Sequence, residues 1–262
     1  MTDRASRNTA VEGVDRKSVV GKVRSILEAL AEHGRMGLSD LARASGVAKP
    51  SVHRICGELI RWGVVERTGD GFRLGSRLFE LGQRVPGRRQ LRDLALPFME
   101  DLFLTTRQVV HLAVADGFEV VYIERLTGRQ SDRVPSVVAG RMPMNCTATG
   151  KCMLAFGPDD MFEALVGHGL RPLTPYSIVV PSALQDDLVE TRRRGFAIER
   201  EEAVIGMTSV AAPILTRSGL IGAMSITASV HHLDADRLGP TVATASRALS
   251  RALGAAPPRV ES

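Results

Sequence analysis

The stretch LSDLARASGVAKPSVHRICGELIRWGVV, residues 38–65, has the pattern of two short helices joined by a tight turn. Ser39 can cap the first helix, and Gly46 supplies the positive φ that a sharp turn between helices needs. A second helix is predicted over residues 49–62, with an apolar face formed by Val52, Ile55, Cys56 and Leu59. The opposite face is polar and carries Lys49, Ser51, Arg54, Glu58 and Arg61. An apolar back with a basic front is what a helix needs in order to lie in the major groove of DNA.

The segments on either side of this helix pair complete a winged helix-turn-helix. Residues 18–31 form an amphipathic pattern whose apolar stripe is Val19, Val23, Ile26, Leu27 and Leu30. Two short β segments, 64–67 and 72–74, are joined through Gly69-Asp70-Gly71, and Asp-Gly between such runs predicts a hairpin. Three helices followed by a hairpin are typical of a winged helix.

The candidate DNA-binding residues follow from this geometry. Arg54 is the first choice for a base contact, because arginine reads O6 and N7 of guanine with two hydrogen bonds. The residues near the helix start, Lys49, Ser51 and His53, come next, whereas Arg61 lies farther along and is expected to contact phosphate. On the wing, Arg67 and Arg73 are placed to meet phosphate or the minor groove.

Charge and composition agree with this interpretation. The first 80 residues contain 14 lysines and arginines against 10 aspartates and glutamates, so most of the net charge of +5 lies in the part of the chain that contains the helix pair. We find no run long enough to cross a bilayer and no signal peptide, which predicts a cytoplasmic protein without a membrane partner. Three cysteines without CxxC or paired His spacing predict reduced thiols, no metal site and no disulfide framework.

The remainder of the chain alternates helix and strand patterns. A helical segment from residue 76 to about residue 85 is broken by Pro86-Gly87, which we take as the domain boundary. Further helices are predicted at residues 91–105, 147–156, 159–166, 182–194 and 237–253. Strands are predicted at residues 109–115, 119–126, 134–138, 207–215 and 220–229. Adjacent hairpin pairs mixed with helices indicate an α+β domain around an antiparallel sheet.

Two groups of residues in this second domain are candidates for a ligand site. The stretch that starts at Asn145 and continues through Thr149 and Gly150-Lys151-Cys152 resembles a phosphate loop, but it lacks the first Gly and the last Ser or Thr of a Walker A motif. It fits better as a helix N-terminus facing a pocket, where free N–H groups attract a carboxylate, although an ordinary capped helix remains the alternative. On the two closing strands, the shared parity of Met207, Ser209, Ser225 and Thr227 indicates either a ligand-binding face or a solvated one.

The sequence gives weaker evidence for a catalytic site than for a ligand site. Glu201 and Glu202 are adjacent and point apart on a strand or bend, so we expect a solvated charge pair rather than a shared proton. His111 has no suitable neighbour in sequence and is expected to be structural or exposed, as are His231 and His232. No motif orients a base toward Cys146. We therefore predict no catalytic residues and no cofactor.

Four blocks in this chain resemble the IclR family of bacterial transcriptional regulators. They are residues 38–67, then FRLGSRLFELG at 72–82, GRMPMNCTATGKCMLA at 140–155, and RRRGFAIEREEAVIGMTSVAAPI at 192–214 with GAMSITAS at 222–229. The resemblance implies a GAF-like effector domain behind the winged helix, a dimer or dimer of dimers, and a small organic acid or aromatic compound as effector. It also implies that the backbone at Ala148 and Thr149 touches the ligand and that Glu199 lines the site with the strand residues. One departure is Ala48, where the family usually has a Ser that caps the recognition helix.

The predicted organisation is a winged helix-turn-helix over residues 18–76, a linker helix and hinge over 77–90, and an effector domain over 91–254. The predicted function is a transcriptional regulator that binds a palindromic operator as a dimer or tetramer, with DNA affinity modulated by an effector. The alternative is a metabolite-sensing or enzyme-like GAF domain whose helix pair mediates protein contacts. Salt-dependent binding to duplex DNA would discriminate the two.

Overall fold

A computed structural model describes residues 17–85, 87–128, 136–232 and 234–255. The chain divides into two compact units, Met1–Pro86 and Gly87–Ser262. In the described parts of both units, none of the helices combines the length and the apolar character needed to span a membrane. The predicted break at Pro86-Gly87 falls at this division, although Pro86 itself lies outside the described residues.

The first unit is a three-helix core with a small antiparallel sheet. Its helices are α1 Val19–His33, α2 Leu38–Ser45, α3 Lys49–Trp62 and α4 Ser76–Gly82, and its strands are β1 Met36–Gly37, β2 Val65–Thr68 and β3 Gly71–Leu74. The strand order is β1-β3-β2, so the hairpin predicted from Asp-Gly is extended by β1, which the sequence patterns did not predict. Two residues are too few to show a period of their own.

Helix α3 has the predicted limits and the predicted apolar face. Its four buried residues are Val52, Ile55, Cys56 and Leu59, which pack with Ile26, Leu30 and Leu41 from α1 and α2. Gly46, with a φ of 67°, and Gly63, with a φ of 80°, end α2 and α3 in the left-handed conformation that glycine adopts without strain. The capping position before α3 is Ala48, which forms no side-chain cap, and Pro50 in the first turn supplies a preset φ instead.

Two details of the first unit differ from the predictions. Ser39 does not cap α2, because the capping position is Gly37 and Ser39 already lies inside the helix. Val19 does not belong to the buried stripe of α1, since its side chain is 62% exposed. Its position one residue after the cap Ser18 places it beyond the reach of the core.

The second unit is built on a six-stranded antiparallel sheet. Its strands are β4 Val109–Asp116, β5 Glu119–Leu126, β6 Arg141–Pro143, β7 Ala197–Arg200, β8 Met207–Thr216 and β9 Gly219–Ser229, in the order β6-β5-β4-β9-β8-β7. Its helices are α5 Arg88–Thr106, α6 Ala148–Phe156, α7 Asp160–His168, α8 Pro181–Arg194 and α9 Ala235–Ala255. The predicted α+β class is confirmed.

The helices cover both faces of this sheet. One face packs against α5 and α9 through a core that includes Met99, Val210, Ile226 and Leu249. The other face packs against α6, α7 and α8 through a core that includes Met153, Leu165 and Leu188. Because residues alternate between the two faces along each strand, the polar side chains of β8 and β9 considered above lie on the face toward α6.

Three features of the second unit correct the predicted elements. The predicted strand at residues 134–138 begins outside the described residues, and its remaining part, from Ser136 on, is not a strand. The segment around Arg141, where no strand was predicted, forms the edge strand β6 and pairs with β5. Strand β7 was not predicted, because four residues ending in a charged run show no clear alternation.

Candidate functional site

The N-terminus of α6 is the first part of the candidate ligand site. Thr147 caps this helix by accepting the N–H of Gly150 at 3.0 Å, and its hydroxyl also lies 3.3 Å from the carbonyl oxygen of Pro143. The N–H groups of Ala148 and Thr149 come before the first intrahelical bond, so they are free in the way that helix N-termini are. This end of the helix carries a partial positive charge and favours an anion.

A cavity lies between this helix end and the sheet. The free space in the cavity and its mouth is about 440 Å³, with the open solvent at the mouth included. The walls combine apolar and hydroxyl side chains. The lining residues are His111, Tyr122, Ser136, Met142, Thr147, Ala148, Thr149, Glu199, Ala203, Val204, Met207, Ser209, Ser225 and Thr227.

The floor of the cavity is a polar strip that crosses four neighbouring strands. Glu199 on β7 pairs with Ser209 on β8, which pairs with Thr227 on β9. Ser225, two residues earlier on β9, pairs with His111 on β4. The hydroxyls of Ser209 and Thr227 are 2.9 Å apart and form a hydrogen bond. Register therefore brings together side chains that lie far apart in the sequence.

Seven of the eight residues proposed for the ligand site line this one cavity. They are Ala148, Thr149, Glu199, Met207, Ser209, Ser225 and Thr227. Asn145 is the exception and corrects the prediction. Its amide donates to the carbonyl oxygens of Arg171 and Ile178 at 2.9 and 3.0 Å, so the side chain anchors the loop before α8 rather than facing the cavity.

His111 lines the cavity although no sequence signal marked it. It is 2% exposed, and its Nε2 lies 2.6 Å from the hydroxyl of Ser136. The ring of Tyr122 is 4.8 Å away, centroid to centroid. Burial, with the nearby charge of Arg125, lowers the pKa of His111 to about 3, so the imidazole is neutral. The other ring nitrogen, Nδ1, has no hydrogen-bond partner among the described residues.

Glu199 is the acidic residue of the cavity. Its side chain is held in place because Oε1 accepts the backbone N–H groups of Glu202 and Ala203 at 2.6 and 3.1 Å. The residue is 1% exposed, and burial raises its pKa to about 7 in spite of these hydrogen bonds. A carboxyl group that would be ionised in water is therefore half protonated at neutral pH.

A buried ion network supports the loop that carries Ala203 and Val204. Nζ of Lys151, on α6, lies 2.7 Å from a carboxylate oxygen of Glu202 and 3.0 Å from one of Asp187 on α8. Lys151 and Glu202 are 1% and 6% exposed. Glu202 is therefore buried, although its position next to Glu201 predicted a solvated charge. Lys151, which belongs to the stretch that resembles a phosphate loop, is a structural cation.

The candidate DNA interface lies on α3. His53 and Arg54 are exposed on its polar face, and Ser51 is half-buried. Lys49 is exposed and donates to the hydroxyl of Ser39 at 2.9 Å, which ties the start of α3 to α2. Arg61 forms an ion pair with Glu58 one turn earlier. The first turns of the helix thus present the cations and hydroxyls that a groove contact uses.

The wing residues are partly engaged within the unit. Arg73 on β3 binds Glu66 on β2 through two nitrogens, at 3.0 and 2.7 Å. Arg67 lies over the ring of Phe72 at 5.7 Å from its centroid. Exposed pairs of this kind exchange readily with water or phosphate, because they contribute little free energy. Sequence reasoning placed both arginines on the hairpin, as the structure does.

Comparison with known families matches both units. The model for the IclR helix-turn-helix domain matches residues 19–69, and the model for the bacterial transcriptional regulator IclR C-terminal domain matches residues 83–253. A regulator named XynR from Escherichia coli K12 is 31% identical over 224 residues, which is 83% of this chain and 89% of that protein. The glycerol operon regulatory protein of Streptomyces coelicolor is 33% identical, covering 84% and 90%.

Solved structures agree with these matches. An IclR homolog from Microbacterium hydrocarbonoxydans, crystallised with 4-hydroxybenzoate, has a TM-score of 0.83 at 27% identity and covers 91% of this chain and 100% of that one. The IclR protein of Thermotoga maritima has a TM-score of 0.74 at 28% identity, covering 90% and 98%. The named relatives are a transcriptional regulator and an operon regulatory protein. The chain belongs to the IclR family of bacterial transcriptional regulators, with an N-terminal helix-turn-helix domain and a C-terminal effector domain.

Proposed function

We propose that this regulator binds a palindromic operator as a dimer or tetramer and that a small organic-acid or aromatic metabolite in the C-terminal cavity changes its DNA affinity. Residues 77–90 serve as the linker between the DNA-binding domain, residues 18–76, and the effector domain, residues 91–254. The protein acts in the cytoplasm, where bacterial operators are found. The effector can shift operator binding only as far as it prefers one arrangement of the protein over the other.

The observation that carries the effector proposal is the cavity beside the N-terminus of α6. Free N–H groups at Ala148 and Thr149 suit a carboxylate, and the apolar walls around Met142, Val204 and Met207 suit a ring or alkyl chain. The relative crystallised with 4-hydroxybenzoate has the same fold and shows that a molecule of this class can occupy an IclR-type protein.

Two features favour a dimer. One recognition helix contacts only a few base pairs, so useful specificity needs two copies on related half-sites. The first unit also exposes large apolar side chains, with Val19 at 62%, Val20 at 71% and Phe79 at 70% exposed. These side chains offer apolar surface that contact with another copy could bury.

Replacement of Arg54 by alanine tests the DNA interface. We expect operator affinity to fall by about 1–3 kcal/mol, because a bidentate contact with guanine is lost, while binding to random DNA changes much less. Arg61→Ala, at the end of the same helix, should weaken operator and random DNA alike and reduce the salt dependence. Fluorescence anisotropy with labelled duplexes at several salt concentrations measures both effects.

The upstream region of the protein's own gene is a suitable source of operator DNA. Affinity that is independent of salt, or unchanged in Arg54→Ala, would contradict the DNA interface. That result would favour the alternative in which the helix pair contacts another protein.

A thermal shift with 4-hydroxybenzoate tests the effector site. At 100 times its dissociation constant a ligand stabilises the protein that it binds by about 2.7 kcal/mol, which moves the melting temperature by several degrees. Ser225→Leu fills the floor of the cavity and should abolish the shift. The matched control is Ser182→Leu, an exposed position on α8, which should retain it. A shift that survives in Ser225→Leu would locate the ligand elsewhere.

A further inference from the structure

The charges around the cavity are unusual for a site that takes an acid. The side chains that line it, all within the described residues, include one carboxyl group, Glu199, and neither a lysine nor an arginine. The imidazole of His111 is held neutral by burial, which keeps its pKa far below physiological pH. A carboxylate ligand therefore meets a carboxyl group, whereas the described lining residues supply no lysine or arginine; the nearby charge of Arg125, on β5, acts on His111.

The groups that face Glu199 from neighbouring elements do not change this balance. Lys151, on α6, is the nearby cation, and its charge is taken up by Glu202 and Asp187 at 2.7 and 3.0 Å. Glu202, in the loop after β7, adds a further negative charge close to Glu199. With Glu199 ionised, this corner of the unit would hold three carboxylates against two cations, the Lys151 ammonium group and the Arg194 guanidinium, which lies 3.9 Å from Asp187.

Two further titratable groups near Glu199, the Tyr122 phenol and the Cys146 thiol, are uncharged. Burial raises the pKa of the Tyr122 phenol, on β5, to about 12. Burial likewise raises the pKa of the Cys146 thiol, which donates to the carbonyl oxygen of Arg171 at 2.9 Å. Neither group can neutralise an anion in the cavity at physiological pH.

Glu199 also cannot turn away from a ligand. Its Oε1 is fixed by two backbone N–H groups, and its strand β7 is paired in register with β8. The side chain lines the cavity, where the hydroxyl of Ser209 also hydrogen-bonds the carboxyl group. When protonated, this group is a hydrogen-bond donor of good strength toward a carboxylate, and when ionised it repels one.

We propose that Glu199 makes the cavity selective for singly charged acids, each of which binds together with one proton that Glu199 shares with the ligand carboxylate. The proposal rests on the proposed function, in which the cavity takes an acid effector. The proton comes from solution and is held between the two carboxyl groups, while the α6 N-terminus accommodates the single remaining negative charge. A dicarboxylate brings a second charge that no lysine or arginine among the described lining residues offsets.

The expected pH dependence follows from the protonated fraction of Glu199. With a pKa of about 7, that fraction falls about tenfold between pH 6 and pH 8, and the apparent affinity for an acid falls by the same factor. We expect this tenfold loss for 4-hydroxybenzoate in titration calorimetry with the full-length protein. The uncharged 4-hydroxybenzamide should change less than about twofold over the same range.

Two further measurements test the uptake of a proton on binding and the effect of a second negative charge on the ligand. Calorimetry in buffers of different ionisation enthalpy should show uptake of about half a proton per 4-hydroxybenzoate at pH 7 and nearly one at pH 8. Terephthalate, which has a second carboxylate in place of the hydroxyl, should bind at least about tenfold more weakly than 4-hydroxybenzoate at pH 6.

The variant Glu199→Gln keeps an oxygen acceptor for the two backbone N–H groups and a neutral N–H donor for the ligand. Its affinity for 4-hydroxybenzoate should be the same at pH 6 and pH 8. Glu201→Gln is the matched control, because it removes one charge from the same loop outside the cavity and should keep the wild-type profile.

A flat pH profile for the wild-type protein, or equal binding of terephthalate, overturns the role of Glu199 and leaves the effector site intact. Absence of binding by both 4-hydroxybenzoate and its amide at every pH overturns the acid-effector function as well. Because the wild-type profile and the amide comparison need no variant, the test holds even where Glu199→Gln does not fold.

Discussion

Replacement of Lys151 by methionine is expected to destabilise the second unit by about 3–5 kcal/mol. The substitution leaves the carboxylates of Glu202 and Asp187 beside α6 without their cation, and Glu202 is only 6% exposed. An unpaired buried charge costs far more than the original pair contributes. Since burial already raises the pKa of Glu202, its carboxyl should protonate in the variant at low pH. The loss should therefore be larger at pH 8 than at pH 5.

Urea unfolding followed by far-UV circular dichroism measures this loss. Trp62, the only tryptophan of the chain, lies in the first unit, so its fluorescence reports that unit separately and should show little change. The double variant Lys151→Met, Glu202→Leu should recover most of the stability, because apolar side chains of similar size replace the pair. Lys22→Met, at a partly exposed position on α1, is the control and should stay within about 0.5 kcal/mol of wild type. An unchanged midpoint for Lys151→Met would show that the network contributes nothing to stability.

The parts of the fold that could be predicted from sequence are those set by local chemistry. Helix α3 has the predicted limits because a 3.6-residue apolar period runs between two glycines that adopt positive φ. The hairpin of β4 and β5 follows from strand-like runs on either side of Asp116-Gly117. In each case the signals lie within a few residues of the element that they specify.

The elements missed are those whose structure depends on distant partners. Strand β1 contains two residues and β7 four. Each is a strand because it forms backbone hydrogen bonds with a neighbour, β1 with β3 and β7 with β8. Ser39 was a reasonable cap by residue type, but β1 fixes the chain before α2 so that Gly37 takes the capping position. The strand propensity of a residue predicts little where pairing with a distant strand determines the local structure.

The residues of the cavity likewise fall into two groups, those that could be predicted from the sequence and those that could not. Parity along β8 and β9 placed Met207, Ser209, Ser225 and Thr227 on one face, and the local pattern predicted a helix start near Thr147. The choice of Ala148 and Thr149 came from the family resemblance. His111 and Tyr122 were missed because their roles arise from the order of strands in the sheet. A register shift between Leu112 and Ala113 further changes which side chains of β5 face those of β4, and no pattern in the sequence marks it.

The buried ion network of Lys151 shows most clearly what sequence patterns cannot predict. Lys151 and Glu202 are separated by 51 residues, and each has an unremarkable sequence context, one in a false phosphate loop and one in an acidic pair. Their burial follows from the packing of α6 against β7 and α8, which sequence patterns do not encode. Charge runs are usually solvated, so the general rule was sound and this position is an exception to it.

Replacement of Gly150 by alanine is expected to destabilise the second unit by about 3 kcal/mol or more. A Cβ at this position would lie 2.3 Å from the carbonyl oxygen of Met144 and 2.4 Å from its Cα. These are backbone atoms of the tight turn at Met144–Cys146, so the clash cannot be relieved by rotating a side chain. Overpacking against a fixed backbone costs at the upper end of the usual range of about 1–3 kcal/mol, or more.

The same substitution should also move the N-terminus of α6 away from its turn and weaken binding of 4-hydroxybenzoate, since Ala148 and Thr149 lie at that end of the helix. Gly167→Ala is the matched control: Gly167 lies inside α7, and among the described residues no neighbouring atom comes within 4 Å of the place its Cβ would take. There alanine should stabilise by roughly 0.5–1 kcal/mol, because it restricts the unfolded chain and favours the helix. Urea midpoints of the two variants should therefore move in opposite directions. Equal midpoints would mean that α6 does not approach the turn as closely as the packing at Gly150 requires.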